Sequence, residues 1–82
     1  MKPLDTDVVV VFRCGSEPVP LKVKIEEGVF KIDRIKSIER RKLAGEDEIY
    51  YACTSHICER SFEFEIKYTI RTCSWKITKL FL

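Results

Sequence analysis

The chain reads as an all-β domain, a six-stranded antiparallel meander curled into a small barrel of the SH3-like or OB-like kind. Three observations predict it. Residues 61–71 alternate without a break, with Phe62, Phe64, Ile66, Tyr68 and Ile70 on one parity and Ser61, Glu63, Glu65, Lys67, Thr69 and Arg71 on the other. That is the pattern of a strand with one face buried and one wet. Turn-forming residues recur at short intervals along the rest of the chain, as in a meander. Finally, 82 residues at 45% apolar content support one core, so residues 1–82 form a single domain. A sheet this small removes both of its edges most economically by curling.

The elements follow in order. Residues 7–13 are a β-branched run ending at Cys14-Gly15-Ser16, and their continuous apolarity predicts a strand covered on both faces. Ser16-Glu17-Pro18-Val19-Pro20 is an extended connector, because proline pushes its predecessor out of the α region. Leu21, Val23 and Ile25 alternate with Lys22, Lys24 and Glu26, and Glu26-Glu27-Gly28 reads as a tight hairpin turn. Residues 29–39 change parity between Ile32 and Ile35, which predicts a bulge near Asp33-Arg34. A helical turn over residues 37–43 is the competing reading, and the lack of an N-cap before Val29 favours the strand. Residues 43–47 and 54–59 are loops, separated by a strand in which Ile49, Tyr51 and Cys53 alternate with Tyr50 and Ala52. Residues 71–74 turn into a last strand, with Trp75, Ile77 and Phe81 on one side. The apolar end Leu80-Phe81-Leu82 is expected to pair with residues 7–13 and close the barrel. The expected core is Val8, Val10, Phe12, Leu21, Val23, Ile25, Phe30, Ile32, Ile35, Phe62, Phe64, Ile66, Tyr68, Trp75 and Ile77.

Composition removes several function classes. The longest apolar run is residues 8–12, far below the roughly 20 residues of a membrane span. The first residues, Met1-Lys2-Pro3-Leu4-Asp5, have no apolar stretch like that of a secretory leader, so a cytoplasmic setting with reduced thiols is expected. There is no phosphate-cradling GxGxxG or GxxxxGK[ST], no HExxH and no GxSxG. Glu63 and Glu65 share a strand face, but a convex wet face does not separate two carboxyl pKa values as acid–base catalysis requires. A non-enzyme is expected.

Three binding chemistries are written in the residues. Between residues 31 and 42 lie six bases, Lys31, Arg34, Lys36, Arg40, Arg41 and Lys42, against Asp33 and Glu39. With Tyr50 as an exposed ring, such a strand suits nucleic acid, whose phosphates take cations and whose bases stack. The plainer reading is a solvated strand face neutralised by its neighbours, since residues 46–65 hold six acids against Arg60. Cys53, His56 and Cys58 offer two thiols and an imidazole within six residues, the donor types of a zinc site or a thiol sensor. A full zinc shell would also need Cys14 or Cys73, which a meander places at the opposite end; buried thiols, or a facing pair flanking a hairpin loop, are the alternative. By the same topology Cys14 and Cys73 would be neighbours. What remains is a module that binds a protein partner or itself, and this is the primary expectation.

Ser16-Glu17-Pro18-Val19, then Gly28-Val29-Phe30-Lys31-Ile32-Asp33-Arg34-Ile35, a tyrosine-rich strand and Trp75-Lys76-Ile77 together resemble small uncharacterised bacterial proteins. In those a glycine hairpin leads to an aromatic-x-aliphatic strand and a tryptophan strand closes the chain. The resemblance implies a β-barrel-like fold, and it implies no active site.

Overall fold

The computed structural model describes residues 4–81, all strand and turn: β1 (Leu4–Asp5), β2 (Val8–Val11), β3 (Val19–Ile25), β4 (Gly28–Lys31), β5 (Arg34–Leu43), β6 (Glu46–Ile57), β7 (Arg60–Thr69) and β8 (Ser74–Phe81). The all-β, antiparallel expectation holds. The six-stranded barrel does not: eight strands form a five-stranded sheet, β1-β8-β7-β6-β5, and a three-stranded sheet, β2-β3-β4.

The count rises because two segments change sheets. In residues 4–11, Thr6 donates its N–H to the Trp75 carbonyl (3.2 Å), then Lys24 donates to the Asp7 carbonyl (2.9 Å). In residues 28–43, Ile32 donates to Leu21 and Asp33 to Thr54, both at 2.9 Å. A strand that turns such a corner joins two ladders and is divided by the bend. The terminal pairing differs accordingly. Strand β8 pairs with β1 through Leu4↔Ile77 and Asp5↔Lys76, whereas residues 8–11 pair with β3. Leu82, expected in the closing segment, lies outside the described residues.

The ambiguous stretch is strand throughout, so the helical turn over residues 37–43 is not formed. Its bulge falls between Ile35 and Ser37 rather than at Asp33-Arg34. The β6–β7 hairpin is tighter than expected: strand runs to Ile57, and the turn is Cys58-Glu59, both left-handed at φ 46° and 67°. Ala44-Gly45 makes the same two-residue turn at φ 50° and 81°. Two consecutive left-handed residues are what the right-handed twist of a two-residue hairpin demands.

Between the sheets lie Val23 and Ile32 from one side, and Ile49, Tyr51, Cys53, Phe62, Phe64, Ile66, Tyr68, Trp75 and Ile77 from the other. Expected members Val8, Val10, Ile25, Phe30 and Ile35 sit half-buried at its border. Phe12 and Leu21 are corrections, at 64% and 42% exposed. Nor is β2 covered on both faces, since Val9 points outward at 55% exposed. Three strands of 4 to 7 residues do not have the area to cover β5 to β8, which run 8 to 12 residues, so part of the large sheet's inner face stays open.

Candidate functional site

The open part of that face lies beside the arch of residues 12–18, between β2 and β3. The Arg13–Ser16 turn closes with the Ser16 N–H on the Arg13 carbonyl at 3.3 Å, and Gly15 takes φ 80°. The arch is pinned where Tyr51, fully buried, donates its hydroxyl to the Pro18 carbonyl at 2.5 Å. Phe12 stands edge-on to Tyr68 with ring centroids 6.2 Å apart. Tyr68 stacks on Trp75 at 4.6 Å, and Trp75 on Tyr51 at 5.6 Å. Four aromatic rings therefore run from the surface to the centre of the core.

Two grooves share Phe12 and Tyr68. One, of about 390 Å³, is lined by Phe12, Pro18, Arg40, Ile49, Tyr68 and Ile70 among others. The other, of about 690 Å³, continues past Val8, Val10, Cys73 and Trp75. Burial, with the Cys73 thiol beside it, raises the Tyr68 hydroxyl above its ordinary pKa. Together the two grooves form a concave, mainly apolar surface, and an exposed ring over a partly open core is a common form of recognition surface.

Strand β5 borders this face. It ends the five-stranded sheet and is hydrogen-bonded to β6 alone. Its register sets Ile38 opposite Tyr51, Arg40 opposite Ile49 and Lys42 opposite Asp47, so these three residues share the face that carries the core. Ile38, on that inner face, is nevertheless 49% exposed, because the small sheet does not reach it.

The predicted basic strand is dispersed rather than assembled. Lys31 lies on the small sheet, opposite Lys22. Lys36 pairs with Glu63 across the large sheet. Arg41 is held on the outer face by both Glu39 oxygens at 2.9 and 3.0 Å, and its guanidinium lies 4.1 Å over the Tyr50 ring. That pairing holds Glu39 below the usual carboxylate range. Tyr50 is therefore capped rather than free to stack on a base. Arg34, Arg40 and Lys42 remain exposed along β5, with Arg40 on the inner face and Arg34 on the outer. The cross-strand neutralisation read from the sequence accounts for the outer face: Lys67 reaches the buried Glu48 at 3.1 Å, and Arg71 reaches Glu46 at 2.7 Å.

The cysteine–histidine cluster separates for a simpler reason. Strand β6 extends through it, and alternation sends neighbouring parities to opposite faces. Cys53 is buried inward, whereas His56 is on the exposed parity, bonded through Nδ1 to Asp33 at 2.6 Å. Cys58 is in the turn, roughly 16 Å from Cys53 at strand rise. The three cannot meet on one ion, and among the described residues no three histidine, cysteine or acidic side chains gather. Cys53 faces Phe64, not Cys58, so the facing-pair reading also fails. Burial pushes the Cys53 thiol up to about 12. Cys14, Cys58 and Cys73 are exposed free thiols.

Sequence reasoning missed Phe12 as a surface residue, and missed the Asp33–His56 pair and the open edge of β5. All three depend on which chain segments stop short of which others. Comparison with family models, with curated proteins and with solved structures returned no match.

Proposed function

We propose that this chain is a non-catalytic protein-interaction module whose recognition surface is the groove beside Phe12 and the neighbouring edge of β5. The observation that carries the reading is Phe12 itself. A phenylalanine with 64% of its surface in water, edge-on to a tyrosine that belongs to the core, leaves apolar area uncovered that a partner would bury. The wall and floor beside it, Pro18, Ile49 and Ile70, are apolar; Pro18 is held by the buried Tyr51–Pro18 bond and Ile49 by the β6–β7 ladder, so the groove is formed before any partner arrives. The small-barrel likeness, SH3-like or OB-like, belongs to the same reading: residues 4–11 and 28–43 each turn a corner between sheets, as strands of such barrels do. A cytoplasmic setting is part of it too, supported by four cysteines that are all free.

The test is selection of displayed random peptides against the folded protein, with binding remeasured on Phe12→Ala. That side chain is exposed, so the variant keeps the core. Enriched peptides that lose about tenfold or more in affinity on Phe12→Ala, the scale of an aromatic anchor, are the expected result. No enrichment, or enrichment indifferent to Phe12→Ala, overturns the reading.

A further inference from the structure

We infer that the free edge of β5 takes up an acidic, extended peptide segment as an added strand of the large sheet. The inference rests on the interaction-module reading above and names the mode of binding and the chemistry of the partner. The outer edge of β5 has no partner strand along Arg34–Leu43, so its backbone N–H and C=O groups on that side are free for strand addition.

Charge then selects the occupant. Strand β5 carries five bases against Glu39 alone. Lys36 and Arg41 are neutralised by Glu63 and Glu39, but among the described residues Arg34, Arg40 and Lys42 have no acidic oxygen within 4.0 Å. Lys42 faces Asp47 across its hairpin without closing to that distance. On the groove side the strand presents Ile38, Arg40 and Lys42 at every second position. An added strand places its own alternate side chains about 5 Å from these, so the matching pattern is apolar-x-acidic-x-acidic. On the other face Glu39 and Arg41 already satisfy each other and ask nothing of the partner.

A second copy of the chain is the wrong occupant, because pairing β5 with itself sets this basic strand against another. Like charges directly opposite destabilise a ladder, and charged edges are how sheets resist self-association. Nucleic acid is less well served, because the predicted bases lie on different surfaces and Tyr50 is capped by Arg41.

The probes are three peptides of about nine residues that carry valine opposite Ile38 and glutamate, glutamine or lysine opposite Arg40 and Lys42 on one face, with threonine at the alternate positions. They are titrated into isotope-labelled protein at about 50 and 200 mM salt, beside a mixed-sequence single-stranded DNA. The glutamate peptide is expected to shift the amides of residues 34–43, to bind about tenfold or more tighter than the lysine peptide, and to weaken with salt. Methylating its alternate backbone nitrogens abolishes binding, and Arg40→Glu, whose new acid cancels Lys42 on that face, removes the preference for the glutamate over the lysine peptide. Equal affinity for all three peptides, shifts confined to residues outside β5, DNA taking the β5 edge in place of the peptides, or a dimer of the free protein through β5 each overturn the inference. Failure here is distinguishable from failure of the module reading. If peptides bind without charge preference but depend on Phe12, or if none of the three binds while displayed peptides still enrich through Phe12, the module stands and the acidic partner falls; if the displayed peptides fail as well, both fall. Should Arg40→Glu not fold, Arg40→Gln and the glutamate–glutamine comparison on the natural chain decide the matter.

Discussion

Tyr51 and Pro18 are 33 residues apart and joined by a 2.5 Å hydrogen bond from the phenol to the carbonyl, inside a region from which water is excluded. This bond ties the arch over the groove to the floor of the large sheet. Its loss leaves a buried carbonyl without its partner, at about 1–3 kcal/mol. Tyr51→Phe is therefore expected to lower the melting temperature by roughly 5 °C or more in a domain of this size, measured by calorimetry. It also releases the arch, so amide exchange in residues 12–18 accelerates more than in β7. Uniform acceleration would mean that Pro18 is anchored by something else.

The same burial produces an alkaline limit. The Tyr51 hydroxyl is pushed up to about 12, chiefly by burial, and the Cys53 thiol to about 12 for the same reason. Below about pH 8 both groups largely hold their protons folded or unfolded and contribute little pH dependence. Above that, the unfolded chain releases protons that the native state retains, so stability falls as pH rises toward 12. At about 1.4 kcal/mol for each unit of difference, the loss amounts to a few kcal/mol, a large part of what a small domain has. Denaturant titrations at pH 8, 9, 10 and 11 are expected to show the decline, with a shallower slope in Cys53→Val. A flat profile to pH 11 would contradict the burial assigned to both groups.

Thiol chemistry sorts the four cysteines. Cys14, Cys58 and Cys73 are exposed and Cys53 is not. A disulfide reagent added to the native protein should titrate three thiols quickly and the fourth only in denaturant. Four fast thiols would place Cys53 outside the core.

Gly28 is needed for space and not for its backbone angle. The left-handed residue of its hairpin is Glu26, at φ 55°. A Cβ on Gly28 would lie 2.9 Å from two atoms of the Phe30 ring, and that ring is wedged against Phe62 at 5.7 Å. Gly28→Ala is expected to cost about 1–3 kcal/mol as overpacking, and less in a Phe30→Leu background. Equal cost in both backgrounds would assign the effect to the backbone.

The turn Cys58-Glu59 stores strain that can be removed. Neither side chain favours the left-handed region, and each pays of order 1 kcal/mol to occupy it. Replacing the pair by Cys58→Asn with Glu59→Gly supplies the residues this turn prefers. A rise of several degrees in melting temperature is expected, and a fall would mean that Cys58 or Glu59 makes a contact that matters more than its backbone.

The strands were legible because a strand writes its two faces into alternate residues. Residues 61–71 carry that pattern cleanly, and β7 buries Phe62, Phe64, Ile66 and Tyr68 as their parity requires. The bulge was legible in kind but misplaced, since a change of parity between Ile32 and Ile35 does not say where the extra residue sits, and Lys36 took it. The candidate zinc cluster misled because Cys53, His56 and Cys58 are close in sequence, while the strand through them sends Cys53 and His56 to opposite faces.

By itself, then, the sequence determined the secondary structure class and the inward faces of most of the longer strands, but not the number of strands, because alternation and turn chemistry are local. Tertiary structure alone decided which inward faces are covered. Phe12 and Ile38 have the parity and apolarity of core residues, and both stand in water because the three-stranded sheet ends before it reaches them. Coverage depends on the area of one sheet against another and on where two segments turn the corner between them. Both are properties of contacts between residues far apart in the chain, which no local pattern records.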